Sequence, residues 1–222
     1  VSRTEERSAK VLDVAGMGIK DLTGIARLWN LEELNCAGNK LSELSLAGNK
    51  GLTRLDVSGN DLEKLDLSGN TALTELNCED NDLTGLDLSG NVQLVSVKCG
   101  NNALAALDIT GLTELRTLRA GSQQVNVGGQ LAGEVLTADI SEYDSSFAKA
   151  SVKSAEARDA MGNRIFGEVT VTDTGFVAPA SARQVVYVWT FGNGQPDMTV
   201  TAVVGDAYRL DVWELDLVVA HH

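Results

Sequence analysis

Residues 52–72 read LTRLDVSGNDLEKLDLSGNTA, and residues 73–93 read LTELNCEDNDLTGLDLSGNVQ. The second stretch repeats the first in register without a gap. Leu31, Leu52, Leu73, Leu94 and Leu115 each open such a unit, 21 residues apart, with the shared pattern LxxLx(C/V)xxNxLxxLxLxxNxx. The pattern nearly repeats itself again at half length: Leu55-Asp56-Val57 precedes Asn60, and Leu65-Asp66-Leu67 precedes Asn70. Self-similarity at a fixed period marks a repeat architecture, and it decides the fold before any single residue does.

The physics of one unit is direct. In Leu-x-Leu, alternation with period two sends both apolar side chains one way and the middle residue the other. A unit this short cannot bury its apolar side alone, so neighbours stack and share a continuous core. The two Leu-x-Leu segments of each unit predict two short strands per coil, one on each face of a flattened parallel solenoid. Asn39, Asn60, Asn81 and Asn102 recur at one fixed offset, and Asn49, Asn70 and Asn91 at another, where the chain turns. Asn tolerates left-handed backbone and bonds neighbouring amides, so both columns are expected to form a structural ladder that satisfies turn amides.

On these residues the sequence resembles bacterial leucine-rich repeat proteins, specifically their nested 21-residue subtype, called IRREKO. The first coil, LDVAGMGIKDLTGIARLWNLEEL from Leu12, is longer: Leu12 to Leu34 spans 22 residues. Its Leu12, Val14, Ile19, Leu22, Ile25, Leu28 and Leu31 resemble an internalin-type repeat with a short helical turn, with Met17 in place of the usual Asn. The resemblance covers residues 11–124, about half the chain. It implies a recognition scaffold of a secreted or surface-displayed bacterial protein, without catalysis.

The repeat decays toward its end. Leu112 stands where a second Asn belongs, Gln123 replaces the next Asn, and the pattern then stops. Beyond it, Val185–Phe191 and Met198–Val204 alternate around Gly192-Asn193-Gly194-Gln195-Pro196-Asp197, which predicts a hairpin. Glu168–Thr172 and Leu210–Val219 alternate too, while residues 146–161, behind Ser145, suggest a helix. The block ISEYDSSF followed by VVYVWTFGNGQPDMTVTAVV resembles the β-sandwich module that follows such repeats in bacterial surface proteins. The expected organisation is an N-terminal extension at 1–10, a solenoid at 11–124 and an all-β, Ig-like or β-sandwich-like domain at 125–220. The fold class is mainly β.

Eighteen basic residues against 31 acidic ones give the chain a net charge of −13. Residues 11–124 and 125–222 each carry −7, so charge does not separate the two parts. Nucleic acid and an anionic membrane surface both require a basic footprint, and neither is expected as a partner. No apolar run reaches the roughly 18 residues of a membrane span. No leader is visible and the chain opens on Val1, so a processed product is expected; His221 and His222 are the only histidines and read as a tag remnant.

With no histidine elsewhere, Ser-His-Asp and Cys-His arrangements are ruled out. Cys36, Cys78 and Cys99 share one inward repeat slot with Val57 and Ala120. That leaves buried thiols, a Cys78–Cys99 disulfide or a metal site as readings, with small buried hydrophobes the expected role. Asp66, Asp87 and Asp108 form an outward column that suits hydrated carboxylates or a shared Ca²⁺. No cofactor or metal is expected.

What remains is the outward side of the first strand of each unit. Its candidate contact residues are Glu33, Asn35, Arg54, Asp56, Glu75, Asn77, Glu79, Lys98 and Arg119, and their polarity grades from acidic at the centre to basic at the last two. Outward residues vary while inward slots stay fixed, as in a scaffold that presents a recognition surface. The expected function is a non-catalytic protein-binding module, monomeric, of a bacterial surface or secreted protein. The alternatives are a structural spacer or adhesin stalk, and a glycan- or calcium-binding module.

Overall fold

Every 21-residue unit places one leucine-centred strand beside that of the unit before. The computed structural model describes residues 9–127, 129–132, 135–140, 151–189, 198–204 and 208–209. Its first sheet contains β1 (Val11–Asp13), β2 (Glu33–Asn35), β3 (Arg54–Asp56), β4 (Glu75–Asn77), β5 (Ser96–Lys98) and β6 (Thr117–Arg119). All neighbours are parallel and in sequence order. Leu12, Leu34, Leu55, Leu76, Val97 and Leu118 stand in register at the strand centres. The first step is 22 residues and the other four are 21, so the register follows the spacing of the sequence.

Inward slots build the core in columns. Leu31, Leu52, Leu73 and Leu94 are fully buried, as are Leu41, Leu62, Leu83 and Leu104, and Cys36, Val57, Cys78 and Cys99. Each buried leucine contributes about 1.5–3 kcal/mol relative to exposure, so the stack rather than any one coil carries the stability. The expected helical turn of the first coil is present as a single 3-10 turn at Ile25–Arg27, entered through Gly24 at φ 97°.

The second Leu-x-Leu leg corrects the expectation of two strands per coil. Leu46, Leu67 and Leu88 are buried, yet residues 44–46, 65–67 and 86–88 form no strand. On that side the Asn side chains do the joining: Asn70 Nδ2 donates to Leu46 O at 3.3 Å and to Asn49 O at 2.9 Å, and Asn91 Nδ2 donates to Leu67 O and Asn70 O. Side chains span the gap that a backbone ladder would have to close, and the alternation survives without a sheet.

The chain beyond the last coil forms β7 (Gln123–Val127), β8 (Gly129–Ala132), β9 (Val135–Asp139), β10 (Val152–Arg158), β11 (Thr170–Val171), β12 (Gly175–Pro179), β13 (Gln184–Trp189), β14 (Met198–Val204) and β15 (Tyr208–Arg209). They make two sheets, ordered β10-β13-β14-β7 and β11-β12-β9-β8-β15. The Phe176 ring of one sheet lies 4.9 Å from the Tyr187 ring of the other. The expected hairpin pairing is present, with β13 antiparallel to β14 and Trp189 opposite Met198. Its turn residues 192–197, and the alternating segment 210–219, lie outside the described residues. Of the Glu168–Thr172 segment only Thr170 and Val171 form a strand.

The helix expected within 146–161 is corrected. Residues 152–158 are a strand paired with β13, with a register shift between Val152 and Ser154. Ladder bonds to β13 and burial of Ala157 override the local helix preference of an Ala-rich segment. The remaining residues of that stretch before Ser151 lie outside the described residues.

Candidate functional site

In the repeat sheet the residues on either side of each central leucine point away from the core. They form two columns across the six strands. One runs Val11, Glu33, Arg54, Glu75, Ser96, Thr117, and the other runs Asp13, Asn35, Asp56, Asn77, Lys98, Arg119. Most of these residues line one concavity of about 330 Å³. Of the residues named from sequence, Glu33, Asn35, Arg54, Asp56, Glu75, Asn77 and Lys98 line it together. Glu79, two residues beyond β4, and Arg119, on the last strand of this sheet, do not.

Val11, Asp13 and Ser96 also line it. Val11 and Asp13 lie one coil before Glu33, the first outward residue counted from the sequence. Leu12-Asp13-Val14 carries the same apolar-x-apolar signature as the later strands, and that signal would have extended the face by one coil.

The first column is organised by Arg54. Its Nη1 lies 3.6 Å from Glu33 Oε1 and its Nε 3.3 Å from Glu75 Oε1, so one guanidinium holds carboxylates from both neighbouring strands. All three side chains are about half exposed. Such pairs contribute at most about 1 kcal/mol; their effect is to fix where charge is presented. The second column is organised by Asp56. Its Oδ1 accepts from the Ser58 amide at 3.0 Å and the Ser58 hydroxyl at 2.6 Å, and its Oδ2 accepts from Asn77 Nδ2 at 3.0 Å. The Ala37 amide donates to Asn35 Oδ1, and the Glu79 amide to Asn77 Oδ1. Lys98 and Arg119 stand opposite each other on β5 and β6, and among the described residues neither has an ion-pair partner.

Behind the face, the Asn columns hold the turns. Asn60 Oδ1 accepts from the Leu41 amide at 3.0 Å, while its Nδ2 donates to Cys36 O at 3.1 Å and Val57 O at 2.9 Å. Asn81 and Asn102 repeat this one and two coils later, taking the Leu62 and Leu83 amides. Asn39 takes the amides of Met17 and Ile19, so the coil without its own Asn is served by the next one. Gln123 occupies the last place: its Oε1 accepts from the Leu104 amide and its Nε2 donates to Cys99 O and Ala120 O. The other column differs. Asn49, Asn70 and Asn91 donate through Nδ2, but their buried Oδ1 atoms accept nothing.

The three cysteines are free and buried. Burial pushes the Cys36 and Cys99 thiols up to about 12 and the Cys78 thiol well up, the Asp56 carboxylate adding to Cys36 and Glu79 to Cys99. They are packing groups, unsuited to act as nucleophiles at neutral pH. Asp66, Asp87 and Asp108 are each committed to the residue two places on, with the amides of Ser68, Ser89 and Thr110 donating to their Oδ1 atoms. Hydrogen bonds from the Ser68, Ser89 and Thr110 side chains, and then those from their amides, hold the carboxyls below the usual range. Among the described residues no group of three or more His, Cys, Asp or Glu is placed to hold a metal ion, and no helix is long and apolar enough to cross a membrane. Trp189 is buried, Trp213 lies outside the described residues, and Trp29 is exposed beside the 3-10 turn, off the sheet face.

No family model matches the chain, and no curated protein matches it. Solved structures do. The functional domain of InlJ from Listeria monocytogenes, described as including a cysteine ladder, is 18% identical over 92% of this chain, with a TM-score of 0.50. This chain spans 64% of that domain's length. Internalin InlF from the same organism is 29% identical over 48% of this chain and 32% of its own, at a TM-score of 0.41. Internalin C2, also from Listeria monocytogenes, is 25% identical over 57% of this chain and 67% of its own, at 0.44. The similarity to InlJ places the chain in the bacterial leucine-rich repeat fold that its units resemble.

Proposed function

We propose that the chain is a non-catalytic protein-binding module that uses the exposed face of its repeat sheet, within a bacterial surface or secreted protein. The observation that carries this is the contrast between the two sides of each strand. Inward slots hold small or aliphatic apolar residues (Leu, Val, Ile, Cys or Ala) in every coil, whereas the outward columns change identity and most of their residues line a single concavity. Rigid strands hold these side chains in place, which lowers the ordering cost of association. The partner is a protein, since the net charge of −13 disfavours nucleic acid and anionic lipid. We read the module as a monomer, and its two C-terminal sheets as an Ig-like or β-sandwich-like unit at 125–220 that covers the last coil.

Capture from bacterial and host-cell lysates tests this, with a variant in which Arg54, Glu75, Asn77, Lys98 and Arg119 are all alanine. These are surface changes, so the fold is expected to survive them. A partner that binds the parent and not the variant supports the face as the site. Capture indifferent to the five changes removes it. A spacer role is the second reading, favoured by the locked joint between the parts: Tyr187 Oη donates to Ala105 O at 2.7 Å, both residues being buried.

A further inference from the structure

The face carries its charge in two blocks. Strands β1 to β4 present Asp13, Glu33, Asp56 and Glu75 with one cation, Arg54, already shared between two of the carboxylates. Strands β5 and β6 present Lys98 and Arg119 and no acid, the other outward positions being Ser96 and Thr117. Like charges directly opposite across a strand pair repel, and Lys98 and Arg119 are such a pair. On a chain of net charge −13 an acidic residue paired with them would be the easy remedy, and among the described residues no carboxylate forms an ion pair with either.

We propose that the occupant of this face is an extended protein segment of two-signed charge, laid across the strands with Lys or Arg over β1–β4 and Asp or Glu over β5–β6. This deepens the binding reading above and rests on it. Five strand spacings of about 4.8 Å make the face about 24 Å wide. At about 3.3 Å per residue an extended segment crosses it in roughly seven residues. A uniformly basic segment meets Lys98 and Arg119 with repulsion, and a uniformly acidic one meets the carboxylates of the first four strands. Neither fits the whole width.

Three end-capped eight-residue peptides bearing a neutral fluorophore test this against the whole chain by fluorescence anisotropy. One carries three cations, Ser-Gly and three carboxylates; one is all basic; one is all acidic. The two-signed peptide is expected to bind about tenfold tighter than either other, with the gap narrowing as salt is raised. In the Lys98→Glu, Arg119→Glu double variant, checked for an unchanged circular dichroism spectrum, that advantage disappears and the all-basic peptide becomes the best binder. An all-basic peptide that binds the parent equally well overturns the proposal, because overall charge alone then explains the attraction. Absence of binding by all three overturns it too. So does self-association of the chain at low salt that the double variant abolishes, since a second copy is then the occupant. If the peptides fail while lysate capture still depends on the five face residues, only the two-signed segment falls. If capture ignores those residues as well, the face itself is not the site.

Discussion

A single asparagine in this fold does the work of a short ladder, and the two columns do unequal amounts of it. Asn60 satisfies a buried amide and caps carbonyls of two coils, whereas Asn70 donates from one end and leaves Oδ1 without a partner. Asn60→Ala strands the Leu41 amide and is expected to cost about 2–3 kcal/mol, against about 1–2 kcal/mol for Asn70→Ala. Urea unfolding of the two variants measures the order; equal costs would mean that the difference in bonding is unimportant. The sequence announced both columns by spacing alone, because Asn at a fixed offset has few other uses in a repeat. It did not distinguish them, since the distinction depends on which amides the neighbouring coil turns toward each side chain. Gln123 shows the limit from the other direction: it breaks the sequence pattern yet makes the same bonds, its extra methylene absorbed locally.

At the scale of the coil, spacing fixes register and says little about hydrogen bonding. The five strand pairings follow the 22- and 21-residue steps, but the second leg has the alternation of a strand without the ladder. Alternation reports which side is buried, and burial does not require a sheet. For β10 the opposite failure occurred: alanines hid a strand whose pairing depends on β13, a distant segment. Coil-to-coil approach is also uneven. A Cβ on Gly48 would lie 2.6 Å from Ala26 Cβ and 2.8 Å from Ala26 O, beside the 3-10 turn, whereas one on Gly69 meets nothing nearer than 3.9 Å. Gly48→Ala is therefore expected to destabilise by about 1–3 kcal/mol through displacement of the first coil, and Gly69→Ala to be near neutral. Thermal melts of the pair measure this, and a tolerated Gly48→Ala would show that the first coil slides freely on the second.

Across the whole molecule, the solenoid and the C-terminal sheets share more than a linker. Gln123 closes the last coil with its side chain and opens β7 with its backbone, and β7 pairs with β14. Tyr187, packed on Phe176, reaches back to Ala105 O. Tyr187→Phe removes that bond, leaves a buried carbonyl unsatisfied, and is expected to cost about 1–2 kcal/mol. It also weakens the coupling, so unfolding followed by near-ultraviolet and far-ultraviolet signals should separate into two transitions where the parent shows one. Coincident transitions in the variant would mean that β7 alone couples the parts. The candidate face was legible from sequence because outward positions can be counted along a repeat, and Leu12-Asp13-Val14 extends the same count one coil earlier. The constant 21-residue step of the interior units has a consequence for how such a chain changes over generations. Interior units present closely similar inward residues above and below, so duplication or loss of one keeps the buried columns in register. Only the two ends, with their 22-residue step and their glutamine, are unique. Unequal exchange within the repeat would thus alter the distance between the acidic and basic blocks in whole coils, resetting the ruler without disturbing what holds it.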